Sequence, residues 1–232
     1  MNMVLLTSVA SPARLMTSAK WTALCLVLFA GGCAFLKPAQ SETQYYLLSS
    51  TSLAAPPGNT NTIPASFEVR LRPIEAADYL QTKDIAVRTG TNEIHFALFH
   101  RWAEPIDAGV GRVLAENLQS STLIRNVLTD RAVPTDRQAY TFYIRVLAFE
   151  GNVNGHRGSA SFEAAWELAG PSLQVLANGV FRAPPTVWNP DRYGQLAHQL
   201  SSALGDFSRF LLEVMITHAA PASPPQASPG GA

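Results

Sequence analysis

Residues Tyr140–Ala148 read YTFYIRVLA, residues Ala160–Leu168 read ASFEAAWEL, and residues Leu173–Phe181 read LQVLANGVF. In the first, Tyr140, Phe142, Ile144, Val146 and Ala148 mark every second position; in the second, Ala160, Phe162, Ala164, Trp166 and Leu168 do. A period of two sends these side chains to one face of a strand, which predicts a sheet with one side against a core. Asn152 to Gly158 is rich in turn formers and reads as a loop, and Gly170-Pro171 reads as a turn. Three antiparallel strands in a meander follow from this stretch.

Downstream the period changes. Tyr193, Leu196, Leu200, Leu204, Phe207, Leu211 and Val214 recur at three- and four-residue steps, one face of a helix. Asn189 can cap it, Pro190 suits its first position and Asp191 favours the positive end of its dipole, so the helix is placed over about 190–217. Upstream, Phe67, Val69 and Leu71 alternate with Glu68, Arg70 and Arg72 up to Pro73, a half-buried strand. Ile85–Arg88 and Glu93–Leu98 flank Thr89-Gly90-Thr91-Asn92, which is hairpin chemistry. Pro105 then precedes Ile106, Val110, Val113, Leu114 and Leu118 at helical spacing, placing a helix over about 105–120 with Pro105 at its first position. Gln44–Ser50 and Leu123–Leu128 are short candidate strands. The predicted fold is α+β: a mostly antiparallel sheet with two main helices, in a single domain over residues 44–218.

Composition bounds the function. The chain has 232 residues, 47 % of them hydrophobic and 15 % charged, with 17 basic residues against 17 acidic ones. That is enough apolar side chain for a core, and it excludes a mainly disordered polyelectrolyte. Lysine occurs at Lys20, Lys37 and Lys83 alone, and the arginines are scattered. No basic stripe exists for nucleic acid to bind. No apolar run reaches the length of about 20 residues that a spanning helix needs.

The N-terminus reads as an export signal. Trp21–Ala30 is the uncharged run WTALCLVLFA, preceded by Arg14 and Lys20 and followed by Gly31, Gly32 and Cys33. A basic flank, a short apolar core and small residues are the layout of a secretory leader. Met16 is a second start that leaves a more ordinary basic flank. Small residues running directly into a cysteine resemble a bacterial lipobox, so residues 1–32 are expected to be a lipoprotein signal peptide and Cys33 to carry the lipid. Cys25 lies inside the leader, which leaves Cys33 as the one cysteine of the mature chain. Removing the leader takes away Arg14 and Lys20 and no acid, so the mature chain is slightly acidic. Three acyl chains exceed what stable anchoring requires. Ala34 after the cysteine, rather than aspartate, favours the outer membrane. Residues 33–43 form a lipid-anchored linker, residues 50–65 read as loop, and residues 219–232 form a disordered tail of Ala, Pro, Ser, Gly and Gln.

A catalytic constellation is not found. His100 and Glu104 beside Trp102 can be drawn as an acid–base pair, but solvated polar groups at a strand end and a helix start account for them. His95 and His100 lie five apart on a strand and face opposite sides, and His156, His198 and His218 do not join them, so no metal site is expected. Ser159 and Ser161 lack the strand–elbow–helix setting of a nucleophile, and no phosphate-binding glycine loop is present. Tyr140, Phe142, Phe162, Trp166, Trp188, Tyr193, Phe207 and Phe210 read either as core or as the lining of an apolar groove. No enzyme activity and no cofactor are expected.

Tyr45–Leu48, RPIEAADYL (Arg72–Leu80), IAVRTGTNEI (Ile85–Ile94) and HRWAEPI (His100–Ile106), behind a lipobox-like Cys33, form a pattern. It resembles the PqiC/YmbA-type family, the ABC-type transport auxiliary lipoproteins. The shared marks are the early Tyr-Tyr-Leu-Leu, Pro73 with Tyr79 and Leu80, Arg88 with Asn92 and Glu93, and Arg101–Ile106, whose last residue is isoleucine in place of leucine. The resemblance implies a lipoprotein on the periplasmic face of the outer membrane, held through Cys33. It would serve as a non-catalytic accessory subunit of an ABC- or MCE-type system that moves lipids, with those transporter components as partners. It also suggests a ring-like homo-oligomer. The alternative is an envelope lipoprotein that assembles or activates another cell-envelope complex. Arg101, Trp102, Glu104 and Pro105 are candidates for either a fold-defining corner or a partner-docking surface, since Trp and Arg are common anchors of interfaces.

Overall fold

The computed structural model describes residues 42–53, 67–129, 139–155 and 157–218. The leader, Cys33, most of the linker, residues 54–65 of the expected loop, His156 and the 219–232 tail lie outside the described residues. Ten strands form one sheet: β1 (Gln44–Tyr46), β2 (Phe67–Leu71), β3 (Glu75–Ala76), β4 (Asp84–Gly90), β5 (Glu93–Trp102), β6 (Ile124–Thr129), β7 (Tyr140–Asn154), β8 (Arg157–Ala169), β9 (Val175–Arg182) and β10 (Thr186–Trp188). Among the described residues two helices complete it, α1 (Ile106–Gln119) and α2 (Tyr193–His218), with a 3₁₀ turn at Asp78–Leu80. Among the described residues no helix is long and apolar enough to cross a membrane.

The architecture is α+β, and the long pairings are antiparallel: β7 with β8, β8 with β9, and β4 with β5. The strand order β1-β5-β4-β7-β2-β6 adds short parallel pairings that the alternation patterns do not announce, including β1 with β5, β2 with β6 and β4 with β7. The meander is present, but two details differ from expectation. The loop over 152–158 is mostly strand, because Asn154 pairs with Arg157 and Gly155 takes φ +60°, a conformation that reverses the chain tightly at no steric cost to glycine. The inward alternation of β7 breaks after Val146, where a bulge at Leu147 shifts the register. Phe149 is buried in place of the expected Ala148, and Glu150 moves to the other face.

Both helices begin slightly late. Pro105 occupies the cap of α1 rather than its first turn, with extended backbone (φ −56°, ψ 145°). Asn189 forms a turn ahead of α2, its Oδ1 accepting the Asp191 N–H at 3.0 Å while its own N–H donates to Gln195 Oε1 at 3.0 Å. The helices are amphipathic as read: Val110, Val113, Leu114 and Leu118 of α1 and Leu196, Leu200, Leu204, Phe207 and Leu211 of α2 are fully buried. They meet at a polar contact inside the core, where Asn117 Nδ2 donates to Ser208 Oγ at 3.0 Å. Of the aromatics assigned either to core or to a groove, Phe142, Phe162, Trp188 and Phe207 are buried and Tyr140, Tyr193 and Phe210 partly so; Phe162 packs edge-on to Phe207, while Trp166 packs edge-on to Phe210 and also lines a groove on the sheet. Trp188 brings β10 onto β8 and presses so closely on Gly151 that a Cβ there would lie 2.6 Å from its ring.

Candidate functional site

Strand β5 turns into α1 through Ala103, Glu104 and Pro105. The Trp102 N–H donates to the Lys83 carbonyl at 2.7 Å, and its ring, 2 % exposed, tilts against Phe149 at 5.6 Å. The next amide, Ala103 N–H, donates to the Tyr46 carbonyl at 2.8 Å, continuing the parallel register of β1 on β5. Arg101 projects to the opposite side, with Nε 2.7 Å from Asp84 Oδ1 in an ion pair whose N–H does not point along the line to the oxygen. Glu104 accepts from Arg112 Nη2 at 2.6 Å and from its Nε at 3.2 Å. The same guanidinium reaches Glu116 at 3.2 Å and donates to the Leu48 carbonyl at 2.8 Å. Hydrogen bonding to Glu104 raises the Arg112 pKa further above its ordinary value. Pro105 is exposed at the helix start. Arg101, Trp102, Glu104 and Pro105 thus share one corner, but they point in different directions.

That corner holds the N-terminal segment. After β1, residues 47–53 run across both helices as a strap. Alternate amides of the strap donate to helix side chains: Ser49 to Ser201 Oγ at 3.1 Å, Thr51 to Asn117 Oδ1 at 2.7 Å and Leu53 to Ser120 Oγ at 3.0 Å. Leu48 and Leu53 are buried beneath it. The loop expected from residue 50 onward is therefore ordered and packed at least as far as Leu53.

A second cluster joins Tyr79 and Arg88. Both converge on Glu150, a carboxylate only 2 % exposed: Tyr79 OH donates to Oε2 at 2.8 Å and Arg88 Nε donates to Oε1 at 2.5 Å. Burial, reinforced by the carboxylate, drives the Tyr79 phenol well above its ordinary range. Glu150 was not among the residues singled out from the sequence. The one signal is an acid directly after Phe149 at the end of an alternating run.

His100 does not form the acid–base pair drawn with Glu104. His100 stacks on Tyr193 at 4.0 Å and its Nδ1 lies 2.9 Å from Tyr46 OH, while Glu104 is engaged by Arg112. Among the described residues no group of three His, Cys, Asp or Glu side chains could hold a metal. Burial lowers the His100 pKa. The unfolded chain then binds this proton at a higher pH than the folded chain does. The contribution of His100 to stability is complete above about pH 6.5 and is lost as the pH falls from there through its lowered folded value. Urea midpoints at pH 7.5 and 5.5 should show this loss in the parent chain and a smaller one in His100→Gln.

A groove of about 700 Å³ lies on the face of the sheet turned away from the helices, lined by Arg72, Glu75, Tyr143, Arg145, Glu167 and Val180 among others. It contains none of the corner residues. What the corner shows chemically is ion pairing and hydrogen bonding within the chain, with Asp84 Oδ1 facing Arg101 but accepting no hydrogen bond.

The family model for the ABC-type transport auxiliary lipoprotein component matches residues 46–211. The chain belongs to this family. Its matched span begins at Tyr46, the residue whose carbonyl receives the Ala103 N–H, and ends at Leu211 in α2, so the family's region includes the corner, the strap and the Glu150 cluster. Solved structures share the fold. The protein XCC0632 from Xanthomonas campestris, described as DUF330, aligns with TM-score 0.62 at 19 % identity, covering 75 % of this chain and 96 % of its own. A second structure, of an uncharacterized protein, aligns with TM-score 0.57 at 18 % identity over 75 % of this chain and 99 % of its own. A comparison with curated proteins finds no match. Membership makes this an auxiliary lipoprotein component of ABC-type transport in the cell envelope, with transporter components as its partners.

Proposed function

We propose that the mature chain begins at an acylated Cys33, sits on the periplasmic face of the outer membrane and serves as a non-catalytic accessory subunit of an ABC/MCE-type system that moves lipids between membranes. The observation that carries this reading is the family match over residues 46–211, downstream of a leader that ends Ala30-Gly31-Gly32 ahead of Cys33. In this reading residues 33–43 tether the domain of residues 44–218, and 219–232 is a free tail. The Arg101–Pro105 segment acts as a fold-defining corner that fixes the strap. Its support is the burial of Trp102 and the engagement of Glu104 within the chain, which leave neither side chain free to anchor a partner.

The test is the mass and fractionation of the native protein beside Cys33→Ala. The native chain is expected to start at Cys33, carry about three acyl chains and sediment with the outer membrane, and the variant to become soluble. A pull-down from cross-linked envelopes is then expected to recover MCE-type or permease subunits. Recovery of a cell-wall synthase instead would favour the assembly-factor alternative. Unmodified, soluble protein in both cases would sink the anchoring.

A further inference from the structure

The sheet ends on an edge that nothing blunts. Strand β9 pairs with β8 alone, and among the described residues no strand lies along its other side. The Ala183 N–H donates to the Phe162 carbonyl at 3.0 Å, which fixes the alternation. Phe181 and Gly179 turn their backbone groups to β8, and Arg182, Val180 and Asn178 turn theirs outward. Folded proteins guard such edges with short strands, charges or prolines. The other edges of this sheet follow that rule, since β1 and β10 have three residues each and β6 carries the exposed Arg125. Strand β9 does not. It runs for eight residues without lysine or proline, and the chain carries no charge from Gly170 to Phe181. Leu173, Val175 and Val180 are 68 %, 52 % and 44 % exposed along it.

An uncharged, apolar edge suits a strand of the same kind, and β9 is itself one. Laid antiparallel against a second β9, its outward N–H groups meet outward carbonyls of the same run. With the two-fold axis at Gly179 or Val180, Arg182 faces Leu176 or Asn178 of the second copy, so no like charges oppose each other. Arg182 also keeps its own partner, Glu163 at 3.2 Å, and brings no unpaired charge to the contact. Pro171 before the strand and Pro184-Pro185 after it confine the pairing to β9. Each copy spends its one unguarded edge in the pair, so association stops at two.

We propose that β9 is a self-recognition edge: two copies of this chain pair antiparallel through Val175–Arg182 and join their sheets into one. The contact is isologous, the same strand on both copies, and it stands independently of Cys33 and of the transport reading. Eight residues a side fall short of the roughly 20–30 that a stable interface engages, so the dimer is weak, with a dissociation constant at or above about micromolar.

The test is sedimentation of the full mature chain with Cys33→Ala, from micromolar to near-millimolar protein, where monomer should give way to dimer. Amide exchange supplies a readout specific to this edge. The N–H groups of Asn178, Val180 and Arg182 are expected to exchange freely in dilute protein and to slow at high concentration, whereas those of Gly179 and Phe181 are slow at both. Val180→Pro removes an outward donor from each copy without taking a bond from β8. It should raise the dissociation constant by about tenfold, the ordinary net worth of two hydrogen bonds. Should proline unsettle the strand, Val180→Lys sets two like charges across the contact at an exposed position, and is expected to weaken pairing at an unchanged melting temperature. A chain that stays monomeric at every concentration overturns the proposal and leaves the edge to a different partner. So does dimerisation that neither variant weakens, or exchange at the three outward amides that ignores concentration, either of which puts the contact elsewhere. Species larger than two overturn it as well, in favour of a head-to-tail assembly.

Discussion

A Trp102→Ala chain is expected to lose about 3–5 kcal/mol of unfolding free energy, the cost of emptying a large aromatic site in a core. For a domain of this size its melting temperature should fall by roughly 10 °C. The reason is positional. Trp102 is 2 % exposed and packs on Phe149, and its own amide and the next one fix Lys83 and Tyr46 to the strand end. The backbone bonds survive the substitution, but the ring that sets the angle between β5 and α1 does not. Calorimetry or urea titration reads the loss. Trp102→Phe is expected to recover part of it, because a smaller ring still fills most of the site. The opposite result would be an unchanged melting temperature together with lost recovery of transporter subunits. That would return Trp102 to a partner-docking role.

The second large effect is expected at Arg88. Arg88→Ala leaves Glu150, 2 % exposed, with Tyr79 as the remaining side-chain partner in the cluster. Removing one member of a buried pair costs about 3 kcal/mol or more, because the survivor keeps its desolvation penalty without the compensating charge. Arg88 is itself a third exposed, which places the expected loss at the low end, about 3 kcal/mol. The double substitution Arg88→Met with Glu150→Met should be milder than Arg88→Ala alone, since neither charge is then left buried. A double-mutant cycle on urea midpoints measures the coupling. Strict additivity would mean that the two side chains do not act as a unit.

How much of this was legible follows from the range of each interaction. The buried face of α2 and the alternation of β7 and β8 are local periodicities, so Leu196, Leu200, Phe142 and Phe162 were placed correctly from the chain alone. The break in β7 was not, because a bulge at Leu147 is set by the register of β8 rather than by the residues of β7. Parallel pairing of β2 with β6 and β7 was hidden for the same reason: strands of five residues or fewer in contact carry no local sign of their neighbours' direction. Glu150 gained its meaning from Arg88 and Tyr79, 62 and 71 positions away. The strap was obscured by composition. Ser49 and Ser50 read as the end of a short strand and residues 51–53 as loop, and what orders them lies on two helices far along the chain.

The strap carries one consequence for how such a chain tolerates change. Its three amides are read by Ser201, Asn117 and Ser120, so at Ser49 and Thr51 the contact uses backbone that every residue except proline supplies. The burden of identity falls on the helices instead. Ser49 and Thr51 are free to drift among residues that leave Leu48 and Leu53 buried, whereas a change at Asn117 unseats an amide of the strap and the Ser208 contact between the helices together. Mutational load in this region is therefore lopsided, and a library that randomises both sides of the seam should retain far more variants on the strap than at the three positions that grip it.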